Sequence, residues 1–352
     1  MQRRYRTRAL AASAGLVLAL AACGGGDSEE PAATSSGSDS GGGAEVEKPN
    51  VTIMMFPGQS YRVPVAVAEQ EGYLDDAGIT LTKVDQPNNL QGMQGLQATG
   101  ADIGVVSTPT LVQGVQAGSQ GAFFCGGIDV LQTTLMAPPD SDLPSTEDGA
   151  DWEEVLESLE GKNVGIQTPV GSGLQLIFAE ALKEAGVENV NYVNIGAGFT
   201  VLQGALESGS VDVVQANPPG TQSLIAADAA KPLIYMADGP SAYADYYGSA
   251  FVAPTSFIED SPNTARAFCD AMGQALEFIK DPANEDAVVE IIASETGVEP
   301  GVAKEVVPTF EDFSTELDPD RLQTTFDAYV DLGLAKPQPE PTVDSLVMEP
   351  EG

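Results

Sequence analysis

The chain has 352 residues, of which 15 are basic, 52 acidic and none histidine, for a formal net charge of −37 at pH 7. That balance excludes nucleic acid and acidic protein surfaces as partners, because a phosphate backbone is gripped by lysine and arginine. The lack of histidine removes the commonest general base, the usual zinc ligand and every serine–histidine–aspartate scheme; no metal and no cofactor is expected.

The first 22 residues read as a leader. Arg3, Arg4, Arg6 and Arg8 form a basic head, and an apolar run over 9–22 follows. The order is that of a secretion signal, and the run is too short to span a bilayer. Leu20-Ala21-Ala22-Cys23 resembles the bacterial lipobox. The resemblance implies that Cys23 is acylated and becomes the first residue of a mature, extracytoplasmic, lipid-anchored protein. Residues 23–49 are rich in Gly, Ser, Asp and Glu and almost free of large apolar side chains, so they read as a flexible linker.

The globular part opens with an apolar, β-prone run over 51–56, closed by Pro57 and Gly58. A helix is expected over 64–70, a strand over 79–84, a glycine-containing helix over 90–98, a strand over 102–106 and a helix over 111–117. Residues 121–136 hold one or two further strands. The polar, proline-containing segment 138–151 reads as a connector between lobes. The pattern then restarts: strand 163–167, helix 174–185, strand 189–195, helix 199–208 and strand 211–215. Helices follow Ser261-Pro262 and Asp318-Pro319, each a cap residue before a first-turn proline. Strands alternating with helices indicate parallel α/β sheets. The halves also echo each other. LQGMQGLQATGADIGVVSTP and LQGALESGSVDVVQANPP both run helix, glycine, aspartate, apolar strand, proline. Two α/β lobes are expected, one from 50–142 with 246–345 and one from 143–245. Cys125 and Cys269 are either disulfide-bonded or two buried thiols.

Three segments carry a resemblance: VPVAVAEQEGYLDDAGITLTKV at 63–84, LEGKNVGIQTPVGSG at 159–173 and ALESGSVDVVQANPP at 205–219. In that order they resemble solute-binding proteins of the nitrate, sulfonate and taurine type. The resemblance implies a type II periplasmic-binding fold, with two α/β lobes joined by crossing strands and a ligand cleft between them. It implies a monomer that delivers a small solute to an ABC permease with its ATPase. The expected cargo is a small organic anion, sulfonate-, taurine- or carboxylate-like, with a heteroaromatic pyrimidine precursor as the alternative. An adhesion or signalling lipoprotein is the rival of another class. Enzymes that share this fold and make the thiamine pyrimidine sacrifice a histidine and need a cysteine-rich motif, and this chain has neither.

In an open α/β sheet, ligands sit beyond the carboxyl ends of the strands. That rule selects Phe56, Gly58, Gln59, Ser60, Tyr61 and Arg62 after the first strand and Ser107 and Thr108 after the third. It selects Thr168, Gly171, Ser172 and Gly173 before a helix of the second lobe, and Asn217 after its last strand. Free amides at a helix start and nearby hydroxyls could hold an anion without lysine, and Arg62 could pair with it. Gly171-Ser172-Gly173 also fits a plain helix cap, Arg62 a solvated surface residue and Asn217 a turn. Tyr246, in a loop with Tyr243 and Tyr247, could shelter an apolar or ring-shaped solute, or simply pack the loop. Phe199 reads as core.

Overall fold

The structure, a computed structural model, describes residues 45–85, 93–96, 100–196 and 198–350. The leader, Cys23 and most of the linker lie outside the described residues, as does most of the segment 90–98. Ten strands follow in chain order: β1 Asn50–Met55, β2 Thr80–Asp85, β3 Ile103–Ser107, β4 Ala122–Ile128, β5 Thr134–Ala137, β6 Asn163–Ile166, β7 Asn191–Asn194, β8 Val213–Ala216, β9 Lys231–Tyr235 and β10 Ser249–Ala253. They build two five-stranded sheets, ordered β2-β1-β3-β10-β4 and β7-β6-β8-β5-β9.

The two orders are the same topology. In each sheet one strand pairs in parallel on both sides with the two that follow it, β1 with β2 and β3, and β6 with β7 and β8. One antiparallel strand then enters, β10 between β3 and β4, and β5 between β8 and β9. The central parallel strands are covered on both faces, which is why Ile103–Ser107 and Val213–Ala216 read as nearly unbroken apolar runs. The internal echo has a structural counterpart. Asp102 N–H donates to Thr52 O while its Oδ2 accepts from Thr52 N–H, both at 2.9 Å. Asp212 clasps Asn163 in the same way, both bonds at 2.8 Å. In each lobe the aspartate thus ties the third strand of the unit to the first.

The membership of β5 moves a boundary. The expected connector was 138–151, but β5 already pairs in the second sheet, so the chain crosses at Asp129–Thr133, ahead of the prolines. The polar pair Gln132-Thr133 divides what reads as one apolar block. The chain returns after the helix Ser241–Ala244 and enters β10.

Helices cover both sheets with apolar stripes. In Pro262–Lys280, Ala265, Phe268, Met272, Leu276 and Ile279 are buried at helical spacing. The Phe268 ring meets those of Phe124 at 6.0 Å and Phe251 at 5.1 Å. Ser261 stands at the N-cap of this helix, yet its side chain makes no cap hydrogen bond. Asp318 does cap its helix, accepting from the N–H groups of Asp320 and Arg321. Cys125 on β4 and Cys269 on Pro262–Lys280 are disulfide-bonded, their Cα atoms 5.7 Å apart. Among the described residues, no helix is long and apolar enough to cross a membrane.

Candidate functional site

A cavity of about 630 Å³ lies between the sheets, within the range of roughly 300–1,000 Å³ common for small-molecule sites. The residues that follow the parallel strands line it from both sides. After β1 come Gly58, Gln59, Ser60 and Tyr61, and β3 contributes Ser107. From the second lobe come Gln167 and Thr168 after β6, Phe199 and Leu202 after β7, and Gln215, Asn217, Pro218 and Ser223 at and after β8. The floor is made by the crossings: Val130, Leu131, Gln132 and Thr133 outbound, Gly248 and Ser249 on the return. Thr296 and Val298 close it from the C-terminal helices, and Tyr243 from the loop before the return. Gly58 has φ +72°, a left-handed turn that suits a residue without Cβ.

The lobes touch across this cavity. Ser60 Oγ donates to the Pro218 carbonyl at 3.3 Å. The helix Gly220–Ala226 of the second lobe packs on the helix Pro300–Val306 of the first. Near the crossings, Asp312 Oδ2 accepts from Gln132 Nε2 at 2.9 Å and from the Tyr235 hydroxyl at 2.8 Å.

The lining is polar but uncharged. Among the described residues, no aspartate, glutamate, lysine or arginine lines the cavity. Gln167 Nε2 donates to Gln215 O at 2.9 Å and Asn217 Oδ1 at 3.3 Å. Gln132 Nε2 also donates to Thr309 O at 2.8 Å. Ser223 Oγ donates to Pro219 O at 2.9 Å. Tyr61 and Tyr243 are buried, and burial pushes both phenols upward. They remain neutral hydroxyls at any physiological pH.

Seven of the residues selected from the sequence line the cavity: Gly58, Gln59, Ser60, Tyr61, Ser107, Thr168 and Asn217. The others lie elsewhere. Phe56 packs its ring edge-on to Tyr61 at 6.4 Å. Arg62 is held by Glu295, Nε to Oε2 at 3.0 Å, and by Asp85, Nη1 to Oδ1 at 2.7 Å. Thr108 is buried and donates to the carbonyls of Tyr247 at 2.7 Å and Gly248 at 3.1 Å. Ser172 donates to Thr168 Oγ1 at 2.8 Å, and Gly171 N–H to Gln175 Oε1 at 2.9 Å. Gly173 meets the other lobe, where an added Cβ would stand 3.0 Å from Pro109 Cβ. Tyr246 stacks edge-on to Tyr329 at 6.1 Å, and it is Tyr243 that lines the cavity. Phe199, read as core, lines it as well.

The main omissions are Gln132, Thr133, Gln167 and Gln215. Gln215 lies inside β8 and Gln167 directly follows β6, and a rule that looks beyond strand ends passes over both. Gln132 and Thr133 have a visible signal, the polar run Gln132-Thr133-Thr134 inside the apolar stretch 121–136.

No curated protein sequence matches the chain. Among solved structures, the periplasmic aliphatic sulphonate-binding protein SsuA from Escherichia coli is similar with a TM-score of 0.69 at 14% identity, over 86% of this chain and 93% of that one. The alkanesulfonate-binding SsuA from Xanthomonas axonopodis pv. citri, bound to MOPS, gives 0.65 at 17% identity, over 86% and 97%. The periplasmic nitrate-binding protein NrtA from Synechocystis PCC 6803 gives 0.63 at 12%, over 83% and 84%. These likenesses place the two lobes in the periplasmic-binding-protein fold. At the level of sequence, residues 59–285 match the family described as NMT1/THI5 like. That match spans well over half of the chain, and the protein therefore belongs to the NMT1/THI5 like family.

Proposed function

We propose that the chain is the extracytoplasmic solute-binding subunit of an ABC importer, which captures a small polar solute between its lobes and presents it to a membrane permease with its ATPase. The cavity carries this reading. It is lined from both sheets and both crossings, so closing the lobes and burying a solute are one event. Similar structures named for sulfonate and nitrate binding support it. The lining offers hydroxyls and amides without a charged acid–base pair among the described residues, a set suited to capture rather than to proton transfer. In this reading the protein works as a monomer, and a lipid on Cys23 holds it at the outer face of the membrane with 23–49 as the tether. Cys23→Ala should then release it into the soluble fraction.

The names of those similar structures favour a sulfonate-, taurine- or carboxylate-like anion. Here such an anion would rest on hydroxyls and backbone amides, since Arg62 is held by Glu295 and Asp85. The test is a thermal-shift screen over sulfonates, nitrate, carboxylates and small amides, followed by small-angle scattering. A receptor shows a concentration-dependent rise in Tm together with a smaller radius of gyration. A stabilising solute that leaves the scattering unchanged, or no response to any solute, overturns the reading.

A further inference from the structure

Taking the cleft as a solute site, as proposed above, we infer that its cargo is an uncharged molecule bearing several N–H groups of the amide or urea kind, received by side-chain oxygens of Gln132 and Gln167. The polarity of the lining leads there. Five lining side chains, drawn from both lobes and a crossing, direct their hydrogens at the protein's own backbone carbonyls. Gln132 Nε2 donates to Thr309 O, Gln167 Nε2 to Gln215 O, Ser60 Oγ to Pro218 O, Ser223 Oγ to Pro219 O and Thr296 Oγ1 to Ile292 O. A backbone carbonyl only accepts, so these partners fix which end of each amide is the donor. The second amide hydrogens are engaged as well, Gln132 with Asp312 Oδ2 and Gln167 with Asn217 Oδ1.

What these groups still offer a solute is oxygen lone pairs. Gln132 Oε1 and Gln167 Oε1 have no donor among the described residues. A sulfonate or nitrate brings only acceptors, and at these five groups its oxygens would lose water and meet other oxygens. Among the described residues, no lining cation offsets that loss. The segments between 86 and 99 that lie outside the description, and residue 197, contain no Asp, Glu, Lys or Arg either. The formal charge of −37 adds a field that opposes anions. Donors are not absent: the hydroxyls of Tyr61 and Thr168, which accept from Phe56 N–H and Ser172 Oγ, remain with Asn217 Nδ2 and the Ser249 hydroxyl to receive a carbonyl oxygen of the same solute. An N–H-rich molecule with one or two carbonyls satisfies both sets.

The experiment compares two arms at equal ionic strength and 10 mM probe: hydantoin, allantoin and 2-imidazolidinone against nitrate, isethionate and ethanesulfonate. Differential scanning fluorimetry and calorimetric titration should show binding in the first arm. Gln167→Met should weaken it at least about tenfold, since a site built to pair an N–H discriminates sharply once its partner is gone. Gln132→Met serves as the second variant, and the Tm without probe reports whether each folds. Binding in the anion arm with none in the first overturns this inference and leaves the receptor reading intact. Binding in the first arm that survives both substitutions overturns the assignment of the glutamines. Silence in both arms from a folded protein overturns this inference, and the receptor reading then stands or falls on the wider solute screen and scattering given above.

Discussion

Gly248 on the return crossing lies backbone to backbone against Val130 on the outbound one. A Cβ at Gly248 would stand 2.7 Å from the Ile128 carbonyl oxygen and closer still to that of Val130. Gly127 is under the same constraint, 2.6 Å from Ser249 O. The obstacles are main-chain atoms of the two segments that join the lobes, so neither can move aside like a flexible side chain. Gly248→Ala should therefore cost about 2–3 kcal/mol, the upper part of the range for overpacking a close contact, read as a lower urea midpoint with unchanged m. A loss below about 0.5 kcal/mol would mean that the crossings separate easily.

Asp129 stands on the outbound crossing and faces the Tyr247 hydroxyl of the return, with Arg321, Lys280 and Asp312 around it. Its Oδ1 is buried without a partner. Burial, opposed by the nearby Tyr247 hydroxyl and the charge of Arg321, pushes its carboxyl up to about 6. An unfolded aspartate titrates near 3.9. The folded state thus binds the extra proton between roughly pH 4 and 6, and the stability present below that window is lost as pH rises through it. Asp129→Asn should be more stable than the parent at pH 7 by about 1–2 kcal/mol, after discounting for the group's partial exposure. The gap should close by pH 4. Paired urea titrations check this, and a gap independent of pH would remove Asp129 as its source.

What could be read from the sequence was local. Parallel strands such as Ile103–Ser107 are apolar runs bounded by turn residues, so their existence and even the two-lobe repeat were visible. Asp102 and Asp212 stand out in the sequence because an aspartate recurs before the apolar strand of each echoing segment, and the structure gives the reason, the same clasp in each lobe. Partnerships across long separations left no such trace. Arg62 meets Glu295 across 233 residues, and nothing near Arg62 announces it. Gly171-Ser172-Gly173 has the composition of an anion loop, yet its hydroxyl turns to Thr168 and its last glycine to Pro109. The crossing lies ahead of the prolines because proline marks only a break in a segment, whereas the sheet a strand joins is decided by distant pairing.

The disulfide closes a sequence separation of 144 residues, between Cys125 and Cys269. All five strands of the second sheet fall inside that loop. Opening so long a loop frees the unfolded chain, so reduction, or Cys269→Ser, should lower stability by about 2–5 kcal/mol. Urea unfolding with and without dithiothreitol measures it, and m should rise as the denatured state expands. Equal midpoints under both conditions would show that the bond adds nothing to the native state.

Arg62 separates a structural cation from a binding one. Its side chain is 13% exposed and lies between Glu295 and Asp85, with Glu295 itself 16% exposed. Among the described residues, truncation leaves Glu295 with Lys83 alone as a charged partner, at 3.8 Å. A half-buried carboxylate deprived of its hydrogen-bonded partner is costly, so Arg62→Met should lose about 1–3 kcal/mol of stability. The affinity for whichever probe binds the cleft should change by less than about threefold, because the guanidinium does not line the cavity. Calorimetric titration beside urea unfolding separates the two effects. A tenfold loss of affinity in a variant of normal stability would return Arg62 to the site and revive an anion as the cargo.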